Sequence, residues 1–454
     1  MQFASVQEAT DFLEQNPDID LFELFILDAN GIPRGKLLHR EELMALYKTG
    51  RPLPSTLLGL SIQGEDVEDT GLVWEVGDID CRAYPLAGSL QRLPWRQIPT
   101  AAVQVSMHPT EGLPATVADP RHVLVNVIDA LKADGFYPVM ACELEFYLLD
   151  QKPDAQGRPQ PALDKDGNRP RQIQVYGLRE LEMIEPFLAD LYAACKAQGI
   201  PARTAISEYA AGQVEITLEH GDALEAMDQA VRYKRLVKGV AHKHGMQACF
   251  MAKPFGNSAG TGMHMHVSLA DKDGNNLFAS DNKEGSPLLR QAVGGMLKSL
   301  KDSLLIFCPN ANSFRRFQAN SYAPLAPTWG VDNRTVSLRV PGGPAPTRHV
   351  EHRICGADAN PYLAAAAILA AAHRGIRENI DPGDPIEGNG YAQATEFLPT
   401  DWYTAIQLLE HSSWARDTFG AEFLKVYLAV KHQEHRQFMS EVSEQDWRWY
   451  LTQA

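Results

Sequence analysis

Three features of the sequence predict a mixed fold of strands and helices in two parts. Short segments alternate polar with apolar residues, helix-spaced apolar runs with end signals lie between them, and about the first hundred residues read as a separate unit. At 454 residues the chain is long enough for two domains with a sizeable core. No internal repeat or low-complexity tract interrupts it.

The N-terminal unit runs past Pro94-Trp95, after which Val103 to Ser106 begins something new. His122 to Ala133 has helical apolar spacing closed by Gly135, directly before a strand carrying Glu143 and Glu145. Residues 151–175 are rich in Pro, Gly and charge, hence a long loop or hairpin. Helices are expected at about 179–198 and 221–244, with the alternating segment Gln213 to Thr217 between them. The glycine-rich turn Lys253 to Gly262 enters the strand Met263-His264-Met-His266-Val-Ser268, and its backbone could approach a ligand closely. His349-Val-Glu351-His-Arg353 alternates in the same way. The apolar run Tyr362 to Ala372 is too short to span a membrane and reads as a buried helix behind the Glu351 strand. Asn360 is its N-cap, Pro361 its first residue and Gly375 its end.

In an extended chain, side chains two apart share a face. Glu143 and Glu145, Glu215, His264 and His266, and Glu351 and Arg353 therefore face away from Leu144, Val214, Met265 and Val350. Such strands could be ordinary half-exposed sheet, but together they offer one wall of carboxylate and imidazole. Hard divalent ions such as Mg²⁺ or Mn²⁺ take carboxylate oxygens, with an imidazole tolerated better by Mn²⁺. The wall suits two such ions, because so many close carboxylates would otherwise repel one another and take up protons. Arg315, Arg316, Arg334, Arg339, Arg348 and Arg353 fall within forty residues. Arginine forks bind carboxylates and phosphates, although a solvated surface would have the same composition.

Composition is ordinary for a globular chain, at 44% hydrophobic and 22% charged residues. A formal net charge of -15 argues against a nucleic-acid partner and favours cationic ligands. Six cysteines, at 81, 142, 195, 249, 308 and 355, form no CxxC pair and read as reduced thiols in a cytoplasmic protein. The start Met-Gln-Phe-Ala-Ser-Val-Gln-Glu lacks a signal-peptide pattern, and no membrane partner is expected.

The motifs Glu143-Leu-Glu145, Glu208-Tyr-Ala-Ala-Gly-Gln-Val-Glu215, Lys253-Pro, Gly-Thr-Gly-Met-His264-Met-His266-Val-Ser268, Asn333-Arg334-Thr-Val-Ser-Leu-Arg339 and Glu351-His-Arg353 with Asn360-Pro-Tyr-Leu occur in this order. In them the chain resembles the glutamine synthetase family over nearly its whole length. The resemblance implies an α+β protein with an N-terminal β-grasp domain at 1–108 and a catalytic domain with a curved antiparallel sheet at 109–454. It also implies a homododecamer of two stacked rings with active sites at subunit boundaries. Carried over by position, Glu145, Glu208 and Glu215 are ligands of one Mg²⁺ or Mn²⁺ ion, and Glu143, His264 and Glu351 of a second on the nucleotide side. His266 and Ser268 correspond to ATP contacts, Arg339 to a phosphate contact, and Arg334 to the arginine that steadies the transferring phosphoryl group. Arg316 and Arg353 correspond to the arginines that hold the glutamate α-carboxylate, with Gly260 lining the same pocket.

Departures from the family pattern bear on the amine. Where glutamine synthetases carry a loop glutamate that helps deprotonate ammonium, this chain has Tyr322, and where they carry an N-terminal aspartate it has Leu58. Losing both carboxylates leaves an ammonium ion poorly compensated, whereas an organic amine gains from apolar lining. The pattern is similar to the γ-glutamylpolyamine synthetase branch, implying ligation of glutamate to putrescine or a polyamine through a γ-glutamyl phosphate, in polyamine breakdown. The acidic stretch Glu65-Asp66-Val-Glu68-Asp69 is a candidate for a distal ammonium, or a solvated loop. His349 stands where many relatives have an arginine, and Ala259 replaces an asparagine. Phe397 occupies a segment where adenylylated relatives carry a tyrosine, so that control is expected to be absent. Three other readings stand beside this one: ammonia-using glutamine synthesis, ligation of a monoamine, and a non-catalytic relative kept for binding or structure.

Overall fold

The computed structural model describes residues 3–108 and 117–454, so the expected first residue of the catalytic domain, 109, lies outside the described residues. The N-terminal sheet comprises β1 (Leu21–Leu27), β2 (Pro33–His39), β3 (Arg51–Pro54), β4 (Asp80–Pro85), β5 (Gln91–Arg92) and β6 (Thr100–His108). Its order is β2-β1-β6-β4-β3, with β5 also on β6. β6 is thus the centre of the first sheet and not the start of something new, correcting the expectation for Val103 to Ser106. Its ambiguity in sequence has a cause: Val103, Val105 and Met107 enter the N-terminal core while Ala102 enters the larger core behind it. Gln104 Nε2 donates to Tyr362 Oη at 2.7 Å, tying the first sheet to the catalytic part.

The second sheet has nine strands: β7 (Tyr137–Asp150), β8 (Ala202–Ser207), β9 (Gln213–Leu218), β10 (Gly221–Asp222), β11 (Met246–Cys249), β12 (Met263–Ala270), β13 (Trp329–Val331), β14 (Leu338–Val340) and β15 (Val350–His352). The order is β13-β14-β15-β12-β7-β9-β8, and β10 and β11 pair with the long strand β7. Every pairing is antiparallel except β13 with β14. Leu144, Phe146, Val214, Ile216, Met265, Val267 and Val350 bury one face in a core shared with the helices Pro120–Ala133, Ala223–Lys243, Pro287–Ser299 and Pro361–Arg377. Each such apolar side chain contributes about 1.5–3 kcal/mol on burial. A one-residue slip of β7 would drive Glu143 and Glu145 into that core, so the register is strongly specified.

Two helix expectations change. The helix expected at 179–198 is two, Leu178–Met183 and Glu185–Ala197, parted at Ile184 just before Pro186. Gly375 does not end its helix, which continues to Arg377. A Cβ on Gly375 would sit 2.0 Å from the Gln291 carbonyl oxygen, so the glycine serves close helix crossing. That helix shares one core with Val350 of the Glu351 strand and packs most extensively on the helices Pro287–Ser299 and Pro120–Ala133. The stretch 151–175 holds no regular element, as expected. Among the described residues no helix is long and apolar enough to cross a membrane, and the six cysteines are unpaired.

Candidate active site

Sheet register turns the alternation into one surface. Glu145 stands directly opposite Glu215 across β7 and β9, and Glu143 opposite His264 across β7 and β12. His266 stands opposite Glu351, which stands opposite Arg339 on β14. Leu144, Val214, Met265 and Val350 are buried beneath. Glu208 joins from the turn between β8 and β9, where its N–H donates to the Gln213 carbonyl at 3.0 Å.

The six acidic and imidazole positions behave as a pool short of positive charge. Burial, then the charges of Glu143, Glu145, Glu208 and Glu351, push Glu215 up to about 10. Burial and then Glu145 push Glu208 up to about 7. Burial also opposes ionisation of Glu143, but the imidazoles of His264 and His266 outweigh it and hold Glu143 far below the usual range. Glu351 is likewise desolvated, yet Arg353, His264 and His266 bring it down to about 2. His264 Nδ1 lies 3.5 Å from Glu143 and 3.7 Å from Glu351. Two sets of donor atoms fall within 4.8 Å of one another: Glu143, Glu215 and His264, and Glu143, His266 and Glu351. They share Glu143 and cut across the two ligand sets that the resemblance implies. The donor chemistry fits hard divalent cations, since burial and mutual repulsion oppose ionisation of Glu208 and Glu215 and a cation would supply the missing charge.

A cavity of ≈ 770 Å³ opens on this wall and is lined by Glu143, Glu145, Glu208, Glu215, His264 and Glu351. Arg316, Arg334, Arg339, Arg353, Gly260 and Tyr322 line it as well. Arg316 is buried, donating to the Ile354 carbonyl at 2.9 Å, and a Cβ on Gly260 would stand 2.6 Å from its Cγ. Glycine is therefore required for that arginine to lie where it does. Arg339 donates to Glu351 at 2.9 Å, and Arg353 pairs with the other oxygen of the same carboxylate. Arg334 is exposed, with no ion-pair partner among the described residues. His266 and Ser268 share the face of His264 but stand outside the cavity lining.

Leu58 is the expectation the structure overturns. Its side chain is 0% exposed in the N-terminal core with Leu53, Leu72 and Val103, so it offers no surface to an amine or to a neighbouring subunit. The acidic stretch is also engaged within the chain: Asp66 accepts from Thr56 at 3.1 Å, Glu65 from Gln437 at 2.7 Å, and Asp69 faces Arg436 at 3.3 Å.

Gln213, Tyr209 and Tyr176 line the cavity, although the sequence reading gives them no role there. Gln213 Nε2 donates to Glu145 at 3.0 Å and to the Gly260 carbonyl at 2.8 Å, and its place two residues before Glu215 was the available signal. Outside the cavity lining, His349 Nε2 lies 3.0 Å from His266 Nδ1, and His349 Nδ1 lies 2.7 Å from the Thr347 carbonyl oxygen. Tyr209 follows Glu208 directly, and Tyr176 lies at the end of the long loop; both line the cavity.

The glutamine synthetase catalytic-domain model matches residues 117–450. The chain belongs to the glutamine synthetase family. It is 38% identical over 460 residues to gamma-glutamylputrescine synthetase PuuA of Escherichia coli (strain K12), covering 99% of this chain and 96% of that protein. It is 31% identical over 459 residues to the glutamate–isopropylamine ligase of a Pseudomonas sp, covering 98% of each. The solved GmaS/ADP complex superposes with a TM-score of 0.84 at 26% identity, covering 98% of this chain and 99% of that one. Enzymes of the glutamine synthetase family work with ATP and divalent metal ions, for which the carboxylate and imidazole wall is suited.

Proposed function

We propose that this member of the glutamine synthetase family is an ATP-dependent ligase joining the γ-carboxylate of glutamate to an organic amine, a diamine or polyamine such as putrescine. The observation that carries the amine assignment is Tyr322 at the cavity rim, 46% exposed, where the family's ammonium-handling glutamate would stand. The relatives named for putrescine and isopropylamine support it. Arg316 and Arg353, with Gly260 giving room, hold the glutamate α-carboxylate. Arg334 and Arg339 neutralise charge on the phosphoryl group as it passes from ATP to the γ-carboxylate. His266 and Ser268 contact the nucleotide. The amine nitrogen then attacks the γ-glutamyl phosphate, phosphate leaves with the electron pair of the broken C–O bond, and the attacking nitrogen gives up its proton. Glu143, Glu145, Glu208, Glu215, His264 and Glu351 would hold two Mg²⁺ or Mn²⁺ ions, which would supply positive charge to the phosphates.

The reading extends to a β-grasp domain at 1–108, a catalytic domain at 109–454, a homododecamer of two stacked rings, and a role in polyamine breakdown. Scattered unpaired cysteines support a cytoplasmic setting. Initial rates of phosphate release from ATP and glutamate test the function. Putrescine or spermidine should drive release far better than ammonium at equal concentration, and efficient use of ammonium with indifference to every alkyl amine would replace this reading by glutamine synthesis.

A further inference from the structure

Tyr322 does not stand alone at the cavity mouth. Tyr176 and Tyr209 line the same cavity, and the three are 64%, 41% and 46% exposed for Tyr176, Tyr209 and Tyr322 respectively. The Tyr209 and Tyr322 rings have centroids 5.5 Å apart, tilted by 40°. The Tyr322 hydroxyl first, and most weakly Tyr176, raise the Tyr209 phenol above its usual range. Tyr176 and Tyr322 both have φ 58, a left-handed conformation costly for any residue with a Cβ. Strained backbone of this kind gathers where a side chain must be aimed. The Tyr176 N–H donates to the Ser207 carbonyl at 2.8 Å and the Tyr209 N–H to the Glu208 carboxylate at 3.2 Å, so two rings are fastened to the metal wall's own hairpin.

We propose that Tyr176, Tyr209 and Tyr322 form an aromatic clamp that holds the distal ammonium and carbon chain of a diamine or polyamine and selects it over a monoamine of equal length. This rests on the organic-amine reading above. The cavity's cations, Lys253, Arg316, Arg334, Arg339 and Arg353, repel a second ammonium, while its carboxylates are committed to the metal wall. The N-terminal acidic stretch is occupied by partners in its own chain. Tyrosine faces remain: they attract an ammonium through the ring quadrupole, cover methylenes, and carry no charge that would compete for the metal ions. The Leu58 site cannot supply this contact, since that side chain is sealed in the N-terminal core.

The test compares kcat/KM for putrescine with that for n-butylamine in the wild type, in Tyr176→Leu and Tyr209→Leu, and in the matching Tyr→Phe variants. Leucine keeps apolar bulk and removes the ring face; phenylalanine keeps the face. Each leucine variant should lower the putrescine-to-butylamine ratio by roughly 3- to 30-fold, each phenylalanine variant should hold it near the wild-type value, and the KM for glutamate should not move. A ratio that stays within about twofold of wild type in both leucine variants overturns the clamp, as does phenylalanine as damaging as leucine. Those results leave the ligase standing if butylamine still drives phosphate release. Absence of release with every amine would instead remove the ligase reading.

Discussion

Glu215→Gln should stabilise the metal-free protein and abolish its response to metal. Glu215 is 8% exposed, and burial with four neighbouring carboxylates raises it from 4.5 to about 10. A folded-state value above the unfolded one means that the folded chain binds this proton more tightly. The associated stability is full below pH 4.5 and is lost progressively as pH rises toward 10. At pH 8 the loss integrates over about 3.5 pH units at ~1.36 kcal/mol each, giving up to ~5 kcal/mol. Glutamine has no such proton to lose. For a 454-residue chain with ~2.1 cal/mol/K of unfolding entropy per residue, ~2–5 kcal/mol raises Tm by about 2–5 °C. Calorimetric melts at pH 8 in chelator, then with excess Mg²⁺ or Mn²⁺, read both effects. In the wild type, metal binding should also release about one proton per site, seen as heat that varies with the ionisation enthalpy of the buffer. A variant that melts below wild type in chelator, or wild-type binding without proton release, would refute the charge-pool argument.

Arg334→Ala should cut kcat far more than it raises the KM for glutamate, whereas Arg353→Ala should raise that KM and also remove the more buried of the two arginines paired with Glu351; the same kinetic signature in both would break the division of roles. Leu58→Asp should lower Tm sharply, because an unpaired carboxylate in the N-terminal core costs about 3–5 kcal/mol, and a folded variant with a switched amine preference would contradict the burial argument. Light scattering under assay conditions should find activity only in species far above the chain mass of 50.2 kDa, and an active monomer would refute the ring assembly.

The carboxylate and imidazole wall is legible because strands repeat every two residues, so Leu144, Val214, Met265 and Val350 announce which side chains stand on the other face. Register was not legible. That Glu145 meets Glu215 and His266 meets Glu351 follows from long-range pairing, which no local pattern encodes. Gly375 and Val103 to Ser106 show a related ambiguity: a glycine that ends a helix and one that admits a second helix look alike, as do an edge strand and a strand buried on both sides. Leu58 was carried over by position from a loosely matching segment, and only packing shows that its side chain points inward. Tyr176 sits in a long irregular segment with no periodicity to mark it, so its approach to the cavity emerges only in three dimensions.

The central claim is that this member of the glutamine synthetase family makes a γ-glutamyl amide from an organic amine. Its most direct test is mass spectrometry of the product formed from ATP and glutamate when putrescine and ammonium compete at equal concentration. The account predicts γ-glutamylputrescine in large excess over glutamine, with one phosphate released per amide, and a shift toward glutamine in Tyr322→Glu. Glutamine as the dominant wild-type product would contradict it.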